Sequence, residues 1–419
     1  MKHQKMLYTY VGVDSHKDTH TAVFMDCFFE KLGVIAFANR PSAFGPFLAK
    51  AEKLKTEGTE LLFGLEDASS FGRALAVFLA ESGIKAKHVN SVLVARERKN
   101  QSITQKTDSV DAECAARALL QRLGELPDAV PQDRFHVLRT LVVHRNQIVR
   151  GNTRLKMQLH TMLSQHYPGY REFFVVIDGK TSLAFFAKYP SPKTLKGVTR
   201  DELTAFLLEE SSGRLGEAKA DLILGSLEDT EVEYQEIRDM TVRSAIRQIG
   251  FNMEELKRME DTMAGYLDSF GCTLTSMAGI DVVSACQMLS CIGDVKRFPS
   301  PGKLARYSGI APVTYASGKK DMQFSNQRGN RELNSLFYGL AVRLTSPVGP
   351  NNKVINVFFY EYYHRKLAEG KTKRQALKCV ERRLVNIVWT MLTNGEEYVN
   401  PPVLDKPARP AEASAGTED

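Results

Sequence analysis

Three strand-like runs open this chain with no helix between them, and that order narrows its fold more than any other feature. Tyr8–Val13 is rich in β-forming residues and leads directly into Asp14, and Thr21–Phe24 and Val34–Ala38 repeat the signal. Consecutive strands with short connections pair as an antiparallel meander. The pattern then changes to alternation. Helical spacing over Ser42–Lys55 is followed by an apolar strand at Leu61–Leu65. A helix over Phe71–Ser82 stops at Gly83, a short strand covers Lys85–Asn90, and an Ala-, Leu- and Arg-bearing helix covers Ser109–Leu123. Strands first, then strand–helix alternation, predict a mixed sheet with flanking helices across residues 8–130.

Residues 134–166 have a different character. Apolar positions recur at Leu138, Leu141, Ile148, Leu155, Leu159 and Met162 with spacings that alternate between three and four, and Arg145 and Asn152 occupy the intermediate seam positions. This predicts a coiled-coil-like helix with an imperfect seam. From Arg134 to Arg171 there is no Asp or Glu, while seven Arg and Lys stand in that stretch. Residues 172–230 are mixed in pattern. Residues 231–270 read as a second long helix able to pair back on the first. A third unit over 273–395 holds two short helices around a Gly-containing turn, then a Gly-, Pro- and Ser-bearing loop, GIAPVTYASGKK, then helices near Leu333–Leu344 and Arg374–Leu392. The tail from Asn400 to Asp419 is rich in Pro, Ala and Glu without periodicity, the composition of a disordered segment. The expected domains are therefore 1–130, 131–272 and 273–399, followed by the tail 400–419.

Composition removes several function classes. The six cysteines are scattered, with no CxxC pair and no His/Cys cluster of zinc spacing, so neither zinc nor disulfides are expected. No apolar run reaches the roughly 18 residues of a membrane span, and the first residues lack the pattern of a secretory signal. A cytoplasmic protein with no membrane partner is expected. No GxxxxGK[ST] loop is present, so chemistry driven by nucleotide hydrolysis is not indicated. The net charge of +7 is mildly basic, and its distribution matters more than its total.

Four carboxylates stand out by position. Asp14 ends the first strand, Glu66 ends the strand in LLFGLEDAS, and Asp108 and Asp111 open a helix in KTDSVDAE. Residues three apart on a helix share a face, and side chains at the carboxyl ends of neighbouring strands converge on one sheet edge. Clustered carboxylates repel one another unless a cation lies between them. Hard oxygen donors suit Mg²⁺ or Mn²⁺, and such ions can activate a nucleophile and stabilise a leaving oxygen in phosphodiester chemistry. Taken singly, each residue is equally a turn former or a helix cap, and Asp108 in particular is placed to cap its helix. Asp67 follows Glu66 directly. Neighbours on a strand point to opposite faces, so only one of the two is expected at the site, and Glu66 is chosen.

These motifs carry a resemblance. VGVD, LLFGLE and KTDSVDAE resemble the DEDD tetrad of the IS110 family of insertion-sequence transposases, the bridge-RNA-guided recombinases. A second block supports it independently, because GDVKRFPSPGKLARYSGIAPVTYASGKK followed by RGNRELNSLFYGLA is similar to that family's C-terminal conserved region. The resemblance implies a RuvC-like, RNase H-type α/β N-terminal domain, a helical coiled-coil middle, and a mostly α C-terminal transposase domain. It implies Asp14, Glu66, Asp108 and Asp111 as catalytic metal ligands for Mg²⁺ or Mn²⁺. Ser317 in YASGKK would be the nucleophile that holds DNA as a phosphoserine link. Such a covalent link conserves the phosphodiester energy. The implied partners are donor and target DNA, a guide RNA and further copies of the chain, two or four in all.

Read without the resemblance, Ser317 is a plain Ser-Gly turn, since a serine hydroxyl is weak until a base or metal activates it. Tyr315 is the competing nucleophile but lacks an Arg/His constellation, and Ser308 reads as a helix end. For nucleic-acid contacts the acid-free helix offers Arg139, Arg145, Arg150, Arg154 and Lys156. Lys319, Lys320, Arg328 and Arg331, together with Lys296, Arg297, Lys303 and Arg306, form a basic patch around Ser317. The same basic helix also reads as a dimerising helix with a solvated face. Two other functions share these motifs. A RuvC-like structure-specific endonuclease would use the tetrad with water as nucleophile. A catalytically silent nucleic-acid-binding protein is opposed by the four carboxylates.

Overall fold

The computed structural model describes residues 3–400 apart from 69, 130–133, 168, 228–232, 318–319, 325, 327–328 and 350–351. The chain divides into two compact units, Met1–Val137 and Leu138–Asp419. The tail 401–419, and the disorder expected there, lie outside the described residues.

The first unit is built on strands β1 (Tyr8–Ser15), β2 (Thr19–Met25), β3 (Lys31–Ala38), β4 (Glu60–Leu65) and β5 (Ala86–His88), and on helices α1 (Pro41–Leu54), α2 (Arg73–Glu81), α3 (Ser91–Asn100) and α4 (Asp108–Gln121). The sheet order is β3-β2-β1-β4-β5. The first three strands form the expected antiparallel meander, and β4 and β5 join it in parallel. Alternation along β1 splits the core. Val11 and Val13 face Phe44, Phe47 and Leu75 from α1 and α2. Tyr10 faces Cys114, Ala115 and Leu119 from α4. A strand covered on both faces reads as a continuous apolar run, which is why Tyr8–Val13 was legible. Helix α3 was not anticipated. Its sequence, SVLVARERKN, buries only Val94 and Glu97 and shows no apolar stripe to reveal it.

Gly12 and Gly64 lie opposite each other on β1 and β4. A Cβ at Gly12 would stand 2.1 Å from the Ala112 carbonyl oxygen, and one at Gly64 would stand 3.1 Å from Leu119 Cδ2. The two glycines therefore let α4 lie directly on the sheet, which brings its first turn over the carboxyl ends of these strands.

The second unit is mostly helical. Helix α5 (Arg134–His166) is followed by α6 (Tyr170–Phe173), α7 (Lys180–Lys188), α8 (Arg200–Ser211), α9 (Glu217–Gly225) and α10 (Gln235–Ser269). Helix α10 runs antiparallel to α5. The two polar seam positions of α5 are satisfied across the pair: Arg145 donates to Glu260 at 2.7 Å, and Asn252 donates to Asn152 at 2.8 Å. Leu159, Leu163, Val242 and Ile246 continue the contact into an aromatic core that includes Tyr167, Phe173, Phe185 and Phe186. This core occupies the stretch 172–230, whose mixed pattern reflects short helices packed on one another.

The remaining elements are α11 (Val282–Ile292), α12 (Pro301–Tyr307), β6 (Val313–Ser317), β7 (Lys320–Phe324), α13 (Arg331–Thr345), α14 (Val357–Ala368) and α15 (Lys373–Asn394). The expected loop GIAPVTYASGKK is in fact half hairpin, with Val313 paired to Phe324 and Ser317 to Lys320. Its β-prone Val-Thr-Tyr run, ended by Ser-Gly, fits a strand running into a tight turn, a signal that the Gly and Pro content obscured. Helix α14 was also missed, because only Phe359 is buried in it. Cys286 and Cys291 are buried in α11. No helix among the described residues is long and apolar enough to cross a membrane.

Candidate metal centre

A cleft of about 590 Å³ opens at the carboxyl ends of β1 and β4, and its lining includes Asp14, His16, Glu66, Lys106, Asp108 and Asp111. All four carboxylates named from the sequence meet here. Asp14 shares the α4 face of β1 with Gly12. The Glu66 backbone N–H donates to the Val13 carbonyl at 3.3 Å, which sets Glu66 beside Asp14. Asp108 and Asp111 stand in the first turn of α4.

Asp108 does not cap its helix. Thr107 takes that place by accepting from the Val110 N–H at 3.3 Å, and the Asp108 carboxylate is left to the cleft. Asp67 borders the same cleft, but its carboxylate accepts from the Ser70 and Phe71 N–H groups at 2.8 and 3.0 Å and so shapes the turn after β4.

The electrostatics are those of crowded, partly desolvated carboxylates. Burial raises the Asp14 carboxyl above its ordinary range, and Asp108 and Asp111 add to that, while His16 works against it. Burial, with Asp14 and Asp111 nearby, pushes Glu66 up to about 6, and Lys106 opposes the shift. An elevated carboxyl pKa means that the anionic forms are under-compensated by this protein alone.

Three neighbours were not foreseen. His16 Nε2 lies 3.1 Å from Asp14 Oδ2 and 3.3 Å from Asp108 Oδ1. Burial lowers the His16 pKa, yet the two carboxylates outweigh it and the net shift is upward. Its signal was present, since His16 follows Asp14 by two residues and side chains two apart along a strand share a face. Arg98 on α3 pairs with the Asp111 carboxylate, and Lys106 lies in the loop before α4. Nothing in the sequence pointed to Arg98, because the helix that carries it was itself hidden.

The donor set fits a hard divalent cation. Asp14, His16 and Asp108 each offer one ligand atom within 4.8 Å of the others, and Glu66 adds an oxygen donor in the same cleft. Carboxylates with one imidazole and room for water are the donors Mg²⁺ and, more readily, Mn²⁺ accept.

The first unit holds the carboxylates, and the second holds Ser317. Ser317 is the last residue of β6 and pairs in register with Lys320, the first residue of β7. Lys319 and Arg328 lie outside the described residues. Arg331 is exposed as the first residue of α13. Ser308 is buried, and its hydroxyl donates to the Ala305 carbonyl at 3.1 Å. The basic residues of α5 fall into two groups. Arg139 lies 3.6 Å from Glu332, Arg145 pairs with Glu260, and Lys156 pairs with Asp178 at 2.8 Å. Arg150 and Arg154 are exposed. A stretch free of acids in sequence thus receives them from far along the chain.

Comparison with known proteins gives two family matches in order along the chain. Residues 11–168 match the DEDD transposase family of IS110 type, and residues 272–352 match the transposase IS116/IS110/IS902 family. The chain is 24% identical to the insertion element IS116 uncharacterized 44.8 kDa protein of Streptomyces clavuligerus, over 95% of this chain and 98% of that one. It is 25% identical to the insertion element IS110 uncharacterized 43.6 kDa protein of Streptomyces coelicolor, over 83% and 85%. A shorter likeness, 28% identical over 30% of this chain and 37% of the other, is to the pilin gene-inverting protein of Moraxella bovis.

Proposed function

Since the chain belongs to the IS110 family of transposases and catalyses DNA strand transfer, we propose that Asp14, Glu66, Asp108 and Asp111 form its metal-binding catalytic centre and that Ser317 is its nucleophile. The observation that carries the first half is the convergence of four carboxylates, from two strands and one helix, on a single cleft. An antiparallel meander continued by parallel strands supports a RuvC-like, RNase H-type reading of this sheet. Mg²⁺ or Mn²⁺ held there would supply the positive charge that offsets a phosphodiester and its leaving oxygen.

The serine half rests on the family resemblance of the Ser-Gly-Lys-Lys segment. In that reading the Ser317 oxygen bonds to phosphorus while one deoxyribose oxygen leaves. The proton given up by the serine ends on that leaving oxygen. The phosphoserine ester stores the energy that rejoining needs, so no nucleotide hydrolysis enters. Donor and target DNA are the substrates. The exposed Arg150 and Arg154 of α5, with Lys319, Lys320, Arg328 and Arg331, offer positive charge to DNA and to a guide RNA. The reading includes action in the bacterial cytoplasm by a homo-oligomer of two or four chains. Its functional segments are 1–130, a coiled-coil middle over 131–272, and 273–399.

The test of the metal centre is calorimetric titration with Mn²⁺ alongside a strand-transfer assay, on single Ala variants of the four carboxylates. Asp14→Ala and Asp111→Ala are expected to lose both metal binding and strand transfer while keeping the wild-type circular dichroism. A variant with normal activity in Mg²⁺ removes that residue from the centre.

A further inference from the structure

Helix α14 carries Phe358, Phe359, Tyr360, Tyr362, Tyr363 and His364 in its first two turns and buries only Phe359. Aromatic rings are among the largest sources of buried area in proteins, so rings left open at this density call for an explanation. One side of the helix is accounted for. Arg383 of α15 lies over Phe358 at 4.8 Å and over Tyr362 at 5.3 Å, and this packs α14 on α15. The other side carries Tyr360, Tyr363 and His364. Tyr360 and Tyr363 are half-buried and His364 is exposed. Their rings cluster around His364, with centroids 4.3 Å from Tyr360 and 5.5 Å from Tyr363.

Charge indicates what covers them. Between residues 357 and 383 stand eight Arg and Lys against three Glu. Lys366 and Lys378 are paired with Glu369 and Glu381. Arg365, Lys373 and Arg374 are exposed and have no ion pair among the described residues. Arg365 also lies over the Tyr362 ring at 5.3 Å. Flat rings with polar tips on a segment with an excess of cations match a strand whose bases stack and whose phosphates are anionic.

We propose that Tyr360, Tyr363 and His364, together with the exposed Arg365, Lys373 and Arg374 that follow them in the chain, form a stacking platform for an unpaired DNA strand. Strand transfer opens duplex DNA, and unpaired bases are the species that such a surface recognises in preference to the stacked duplex. The inference rests on the chain's strand-transfer activity and is independent of the metal and Ser317 assignments.

The test is fluorescence anisotropy of the full chain with labelled oligothymidylate about 15 residues long, which spans the site size of such surfaces, against oligouridylate and duplex DNA of the same length. Tyr360→Ala/Tyr363→Ala/His364→Ala is expected to weaken oligothymidylate binding by about ten- to a hundredfold, with duplex binding and the salt slope unchanged. Arg365→Gln/Lys373→Gln/Arg374→Gln is expected to flatten the slope by about 0.7 per lost contact. If the triple aromatic variant does not fold, His364→Ala and Tyr363→Ala singly carry the same comparison. Tyr363→Trp, with a larger ring, is expected to keep or raise affinity. Wild-type oligothymidylate binding by the aromatic variants overturns the proposal. So does equal loss on duplex, loss confined to oligouridylate, or a change of oligomeric state with single-strand affinity retained.

Discussion

Gly12 in the central strand and Ala112 on α4 are in contact so close that no side chain fits between them: a Cβ on Gly12 would lie 2.1 Å from the Ala112 carbonyl oxygen and 2.3 Å from the Ala116 nitrogen. The obstruction is backbone, so it cannot rotate away. Gly12→Ala must lift α4 from the sheet, and with it the turn that bears Asp108 and Asp111. Overpacking a core costs about 1–3 kcal/mol, and this rigid site is expected at the top of that range or beyond. Mn²⁺ affinity should fall with stability. Gly45→Ala, on α1 with open space around the new Cβ, is the control. Thermal melts and metal titration compare the two, and a Gly12→Ala protein that melts and binds Mn²⁺ like wild type would show that this contact does not set the geometry.

The cleft also predicts how the metal-free protein responds to pH. Glu66 has its pKa raised from 4.5 to about 6, so the fold favours its protonated form. That contribution is complete below the unfolded value and is lost as pH climbs through the folded one. Asp14 is raised as well, and so is His16, so all three act in the same direction. Without divalent metal, stability should therefore decline between about pH 4.5 and 7. The Glu66 share is less than about 2 kcal/mol, since solvent reaches the group and screens it. Adding Mn²⁺ should restore the lost stability near pH 7 and have little effect near pH 4.5. Melting curves in chelator and in Mn²⁺, for wild type and Glu66→Gln, measure this. A wild-type decline no steeper than that of Glu66→Gln would contradict it.

The basic helix separates into two testable classes. Arg145 is mostly buried and its partner is the partly exposed Glu260, so Arg145→Gln should cost stability, at the low end of the roughly 1.5–3 kcal/mol of a hydrogen bond to a charged group. It should leave the salt dependence of DNA binding alone. Arg150→Gln/Arg154→Gln should leave melting unchanged and lower the slope of log affinity against log salt by about 0.9 for each lost duplex phosphate contact. An unchanged slope would make the exposed face of α5 a purely structural surface.

How much of this was legible depended on the kind of signal. The convergence of the four carboxylates was legible because strand ends and an i, i+3 helix pair are positional facts, and the mixed sheet followed from consecutive strands and then alternation. Three features were hidden for physical reasons. Arg98 reaches Asp111 from a helix with no apolar face. Arg139, Arg145 and Lys156 lie beside Glu332, Glu260 and Asp178, and pairing across such distances leaves no trace in a local window. Thr107 caps α4 in place of Asp108. Both residue types cap helices, Asp somewhat better than Thr, so only the backbone decides which one is free for the cleft. The hairpin of β6 and β7 reads as a loop in sequence because its five-residue strands carry too few alternations to outweigh the Gly, Pro and Ser around them.

The sharpest expectation concerns Ser317. A serine nucleophile leaves a bond that survives denaturation, so wild-type protein incubated with end-labelled element DNA and Mg²⁺ should give a labelled protein band after heating in detergent. Protease digestion and mass spectrometry should place the phosphodeoxynucleotide on the peptide containing Ser317. Ser317→Ala should lose the band and strand transfer together while binding DNA with wild-type affinity. A serine hydroxyl needs assistance, so Asp14→Ala should lose the band as well, and the wild-type peptide map is what identifies the nucleophile as distinct from its activator. Each alternative leaves its own mark. Cleavage without any adduct, unaffected by Ser317→Ala, assigns the chemistry to water and the protein to hydrolysis. An adduct that survives Ser317→Ala but disappears in Tyr315→Phe assigns it to the tyrosine two residues earlier on β6.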